Sequence, residues 1–155
     1  MPAPSIAKQL QTCLDEVNFV YHSLPKALER AEAITPGKRW RTFFHRQASI
    51  LRDHQHQLRI SVAACGQHLR PCVCADVTER LNEARYALAA RPGTPILERT
   101  MHAVLTGLRS LVVKQLEEAA QLAARIGEQD LSANLHNLLR MERAQERAHD
   151  EPWRK

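Results

Sequence analysis

The chain has 155 residues and a mass of 17.6 kDa, enough for one domain with a substantial core and too short for two. Hydrophobic residues at 44% and charged residues at 25% exclude wholesale disorder, while aromatics at 5% and only five Gly favour helix over an aromatic-rich sheet. The formal charge of +5 is confined: residues 25–75 hold nine basic and three acidic residues, residues 1–24 carry a net −1, and residues 76–155 balance at twelve of each.

Taken in chain order, the first element spans about Ser5 to Ala33, where Ile6, Leu10, Cys13, Val17, Val20, Leu24, Leu28 and Ala31 recur at spacings of three and four. Pro25 lies inside this pattern and is expected to kink or break it, because it lacks a backbone donor and crowds the preceding turn. Thr35-Pro36 reads as a helix start, with Thr capping and Pro in the first turn. The second helix follows over Lys38–Cys65, with Phe44, Ala48, Leu51, Gln55, Leu58, Val62 and Cys65 on its core line, and Gly66 ends it. A shorter helix is predicted over Asp76–Ala90, where Asp76 and Glu79 are spaced as a capping pair. Thr94-Pro95 opens a third long helix to Ile126, lined by Leu97, Met101, Val104, Leu108, Leu111, Gln115, Leu122 and Ile126. After Gly127, the fourth covers Gln129–His149 with Leu131, Leu135, Leu138, Glu142, Gln145 and His149 in line. Residues 151–155 read as a tail. The sum is one all-α domain over residues 1–150, a four-helix bundle with a short extra helix in the connection between helices 2 and 3. That connectivity is typical of the ferritin-like class.

Location follows from what these segments lack. Met1–Leu10 has no apolar signal region, and no run approaches the roughly 18 apolar residues of a membrane span. Four Cys are too few for a disulfide scaffold of this size. The expectation is a cytoplasmic protein with reduced thiols and no membrane partner.

The seams are not uniformly apolar. Gln55 sits on the second helix's core line, flanked by His54 and His56, and Glu142, Gln145 and His149 continue the fourth helix's leucine line. A buried carboxylate must be paired, hydrogen-bonded or bound to metal. One reading places metal between His54, Glu142, Glu146 and His149, since Glu146-x-x-His149 has the i, i+3 spacing of di-metal bundle sites and Asp53-x-x-His56 repeats it. The other makes these residues a hydrogen-bonded polar layer or a wet rim.

Several stretches at compatible spacing carry a family likeness: Phe44, His54, Leu58 and Gly66; Cys74-Ala75-Asp76-Val77; and Leu122 to Gly127, followed by Leu138-Leu139, Glu142 and Glu146. Over about residues 15–150 the chain resembles the bacterial YciE/YciF-type ferritin-like family. The resemblance implies a ferritin-like fold, a stress association, a homodimer, and an acidic residue on each long helix for a dinuclear iron site. Carried across, His54, Glu142 and Glu146 are kept. The first-helix acid falls on Tyr21 or Val17, the second-helix acid on Ile50 or Leu51, and the third-helix acid near Val112. Iron sites need several carboxylates to balance the metal charge, so three such losses imply a degenerate site.

Two further constellations lie on the second helix and at its exit. Cys65-x2-His68-x3-Cys72-x-Cys74 gathers soft ligands suited to zinc, but without the usual Cys-x2-Cys spacing. Arg39, Arg46, Arg52 and Arg59 step by seven, six and seven residues along the second helix, a basic stripe suited to phosphates or to acidic neighbours. No flexible basic tail accompanies these Arg, which disfavours nucleic acid as a partner. No nucleophile with a His and acid partner, and no glycine-rich phosphate loop, stands out. The expectation is therefore a non-catalytic ferritin-like bundle with a degenerate di-iron site and no cofactor. The alternatives are a bundle binding iron, manganese or zinc through His54, Glu142, Glu146 and His149, and a DNA-coating bundle using the Arg stripe.

Overall fold

The computed structural model describes residues 5–89 and 95–147. Among them run five α-helices and no strand: α1 (Ile6–Ile34), α2 (Lys38–Ala64), α3 (Ala75–Ala89), α4 (Pro95–Arg125) and α5 (Gln129–Arg147). The Ser5 hydroxyl caps α1 by accepting from the Lys8 amide at 3.2 Å. The predicted core lines hold over most of their length: Leu10, Val17, Val20, Leu24 and Leu28 of α1 are buried, as are Leu51, Leu58, Leu108, Leu131 and Leu135 of the other long helices. Ile126, predicted at the end of the third long helix's line, lies beyond α4 and is exposed.

Two local expectations are corrected. α1 runs unbroken through Pro25, which is itself buried. The proline removes the donor that would reach the Tyr21 carbonyl, but the apolar line stays in register on both sides and its burial holds the helix together. Thr35 caps the end of α1, not the start of α2. Pro36 holds it extended (φ −85°, ψ 123°), and there both its amide and its hydroxyl donate to the Ala31 carbonyl, at 3.0 and 2.6 Å. Gly37 is then the N-cap of α2. The glycine stops stand. Gly66 (φ 71°) and Gly127 (φ 84°) are left-handed, and each closes paired backbone bonds onto the last turn: Gln67 to Val62 and Gly66 to Ala63, Glu128 to Ala123 and Gly127 to Ala124.

α1 packs on α2 and α4, α4 on α5, and α5 more lightly on α2, so the four long helices form a ring in the order α1, α2, α5, α4. α2 and α4 face each other across the ring and run parallel, since Phe43 meets His102 near their starts while Gln47 meets Arg109 further along. The chain must therefore return along the bundle between them. α3 does this, lying outside against α4 and α1. The segment before α3 is fastened to α1: buried Asp15 accepts from the Arg70 amide, and Gln11 donates to the His68 carbonyl, both at 2.8 Å.

Two Gly→Ala changes should move stability in opposite directions. At Gly66 a Cβ meets no neighbour, so the cost is that of the left-handed backbone, about 1–2 kcal/mol. At Gly107, inside α4, a Cβ meets only the exposed Arg80 guanidinium, which can swing aside, and the better helix former should add roughly 0.5 kcal/mol. Urea unfolding of the two variants measures both.

Candidate functional site

α5 carries Glu142 into the centre of the ring because it continues the line of Leu131, Leu135 and Leu138; its side chain is fully buried. Each of the other long helices delivers a donor to it. The Tyr21 hydroxyl from α1 donates to Oε1 at 2.8 Å, His54 Nδ1 from α2 lies against the same oxygen, and Arg109 Nε from α4 donates to Oε2 at 3.3 Å. Arg109 also donates through Nη2 to Gln47 Oε1 of α2 at 2.8 Å. All five side chains are buried, and the Tyr21 and His54 rings meet edge to face with centroids 6.2 Å apart. Among the described residues no buried side-chain nitrogen or oxygen lacks a partner.

Electrostatics follow from this geometry. Burial alone would raise the Glu142 carboxyl. The His54 hydrogen bond and charge, the Arg109 guanidinium and the Tyr21 hydroxyl outweigh it and hold the group below its ordinary value of 4.5. Burial, then the neighbouring carboxylate, push the Tyr21 phenol well above its ordinary 10.0. The centre is thus an ionised carboxylate balanced by the Arg109 guanidinium and held by hydrogen bonds from Tyr21 and His54. The thiols are the reverse of activated: burial, reinforced by Glu118 and Glu16, pushes Cys13 up to about 12, and burial also raises Cys65 and Cys72.

Of the predicted metal-site residues, His54 and Glu142 are brought together. Glu146, one turn further along α5, is exposed and accepts from Ser110 at 3.3 Å; His149 lies outside the described residues. The positions where the resemblance implies acids hold Tyr21 or Val17, Leu51 or Ile50, and Val112, all buried except half-buried Ile50. No three His, Cys, Asp or Glu side chains converge on one point among the described residues. One carboxylate and one imidazole, with a guanidinium against the carboxylate, do not make the donor set of a dinuclear iron centre. The soft ligands after α2 also separate. Cys65 lies by Leu131 at the start of α5, whereas Cys72 lies by Asp15 and Glu16 of α1. Arg39, Arg46, Arg52 and Arg59 are all exposed, and Arg52 clamps Glu29 of α1 with both guanidinium nitrogens.

Two members of the centre escaped sequence reasoning. Arg109 sits four residues after Leu105 and three before Val112, and Gln47 sits four before Leu51; these core-facing positions were the available signal. Gln55, predicted on the core line, is half-buried and donates to Asn18 at 3.2 Å, while its neighbour His54 turns inward.

An antiparallel ring of four long helices with a parallel diagonal crossover and a helix in the connection is a ferritin-like bundle. In fold, the chain is similar to the crystal structure of the E. coli stress protein YciF, with a TM-score of 0.79 and 14% sequence identity over 93% of this chain and 91% of that one. The fold is thus the YciF-type bundle that the sequence resemblance implied. No family model matches the sequence, and no curated protein does.

Breaking the central network and replacing it should have opposite consequences. Arg109→Leu leaves the buried carboxylate short of a cation and should cost about 3–5 kcal/mol. Exchanging the whole network together, Tyr21 for phenylalanine and Gln47, His54, Arg109 and Glu142 for leucine or methionine, leaves no buried polar group unpaired. That exchange should be neutral or stabilising by about 1–4 kcal/mol, read from urea midpoints. Stability should also fall at both pH extremes. Glu142 titrates lower in the folded chain than in the unfolded one, so its contribution is full above the ordinary 4.5 and is lost as the pH drops through the folded value. Tyr21 titrates higher when folded, so its contribution is full below 10.0 and fades as the pH rises beyond that. Tyr21→Phe should flatten the alkaline limb and make the acid limb shallower without abolishing it, because the phenol is one of the donors that hold Glu142 low and His54 and Arg109 remain.

Proposed function

We propose that this chain is a non-catalytic, stress-associated helical bundle whose ferritin-like centre is degenerate and is held by the Arg109 guanidinium in place of iron. One observation carries the reading: the Arg109 guanidinium is inserted between α4, α5 and α2, bonded to Glu142 and Gln47 where a metal would require further carboxylates. A guanidinium and a dication at adjoining positions repel strongly inside a bundle, so Arg109 and a dinuclear centre exclude each other. Apolar Leu51 and Val112 remove two further donors. The stress association rests on the likeness in fold to a protein described as a stress protein.

The rival, a metal site on His54, Glu142, Glu146 and His149, draws on the His54–Glu142 contact. Elemental analysis of protein purified without an affinity tag separates the two. Iron, manganese and zinc together should fall well below one per chain, before and after incubation with each metal. Stoichiometric metal that disappears in Glu142→Ala would overturn the proposal. The Arg stripe supplies little toward a DNA-coating role, because Arg52 is spent on Glu29.

A further inference from the structure

A cleft of about 320 Å³ lies between α1 and α3, on the side of α3 away from its closer contact with α4. Its lining comes from one face of each helix, residues 19–30 of α1 and 78–88 of α3. Phe19, Leu81 and Leu88 form an apolar floor, and Lys26, Arg30 and Arg85 stand above it with His22 beside Lys26. Ser23, Thr78 and Asn82 add neutral hydrogen-bonding groups. Among the described residues no acidic side chain lines the cleft.

The absence of acid reflects how the charges are sorted, not a shortage of carboxylates. On α1, Glu29 is turned to Arg52, Glu32 to His45 at 3.1 Å, and Glu16 to Gln115. On α3, Asp76, Glu79 and Glu83 line a separate cleft against α4, shared with Arg80 and Lys114. Both helices thus direct their acids elsewhere, and three of their cations, Lys26, Arg30 and Arg85, into the shared groove. Among the described residues, Lys26, Arg30 and Arg85 form no ion pair. Converging cations over an apolar floor in a partly enclosed groove match a ligand with an anionic end and an apolar body.

We propose that the α1–α3 cleft binds a small phosphorylated organic molecule of nucleoside monophosphate size, its phosphate on Lys26, Arg30 and Arg85 and its ring on Phe19, Leu81 and Leu88. A phosphate ester carries close to two negative charges at neutral pH, and guanidinium groups present forked donors to it. This site is independent of the buried centre, and its existence does not depend on whether that centre binds metal.

Calorimetric titration of the full chain with AMP, adenosine, inorganic phosphate and a single-stranded polynucleotide tests the assignment. At low salt AMP should bind saturably at one per chain, with adenosine and inorganic phosphate each at least tenfold weaker. Binding should weaken in about 1 M salt, where the Debye length shrinks to about 3 Å. Lys26→Gln/Arg85→Gln, both exposed positions, should weaken AMP tenfold or more, while Arg140→Gln on α5 should leave it unchanged. Lack of saturable AMP binding at low salt would overturn the proposal, as would wild-type affinity in the double variant. Inorganic phosphate binding as tightly as AMP would remove the role of the apolar floor and overturn it too. A polynucleotide that outcompetes AMP at equal nucleotide concentration would assign the cleft to nucleic acid instead.

Discussion

A single fully buried carboxylate governs this bundle. Glu142 lies where water cannot solvate its charge, so the fold exists only with the donors that replace water in place. Those donors come from α1, α2 and α4, and Arg109 is steadied in turn by Gln47. Both diagonals of the ring are spanned, Tyr21 to Glu142 and Gln47 to Arg109. A leucine core tolerates small slips of one helix along another; this network does not, because a displacement of one residue turns a donor away and leaves a charge bare. Leucine packing supplies most of the area removed from water, and the polar centre selects one register among the packings that leucine alone would permit.

The fold was legible because helix periodicity and glycine stops are local properties. The leucine line of α5, the start of α4 at Pro95 and the closures at Gly66 and Gly127 each depend on a few adjacent residues. The centre was only half legible. Glu142 was conspicuous as an acid on an apolar line, and His54 as its natural counterpart. Arg109 was not, because an arginine within a helix of mixed composition reads as a surface residue until the opposing helix is known. The partners also lie far apart in the chain: Tyr21 and Glu142 are separated by 121 positions. Spacing within one helix says which face a residue occupies, and nothing about what stands opposite. The error at Thr35 had the same source, since Thr-Pro fits a helix end as well as a start and the competing partner was the Ala31 carbonyl.

At 14% identity to YciF, the shared architecture fixes where helices run and leaves the chemistry at their centre free to differ. The charge distribution belongs to the same account. The basic excess in residues 25–75 first suggested a phosphate-coating stripe on α2. Part of it is consumed at the α1–α2 seam, where Arg52 meets Glu29, and this turns a carboxylate of α1 away from the α3 side. Charge in this chain is better described by which seam it faces than by its sum.

Pro25 and Tyr21 stand in a relation that neither has alone. The bond α1 loses at the proline is the one the Tyr21 carbonyl would have accepted, so the gap in the helix's hydrogen-bond ladder falls on the turn that presents the phenol to Glu142. Backbone continuity there is not self-sustaining and is supplied from outside, by burial of the flanking apolar line and by a phenol anchored on α5. The first helix is in effect two rods spliced by the tertiary structure, and the central carboxylate is the polar part of a splint whose apolar part is the buried line of Val17, Val20, Leu24 and Leu28. Order in the middle of α1 is therefore a readout of the integrity of the core, not a property of the helix.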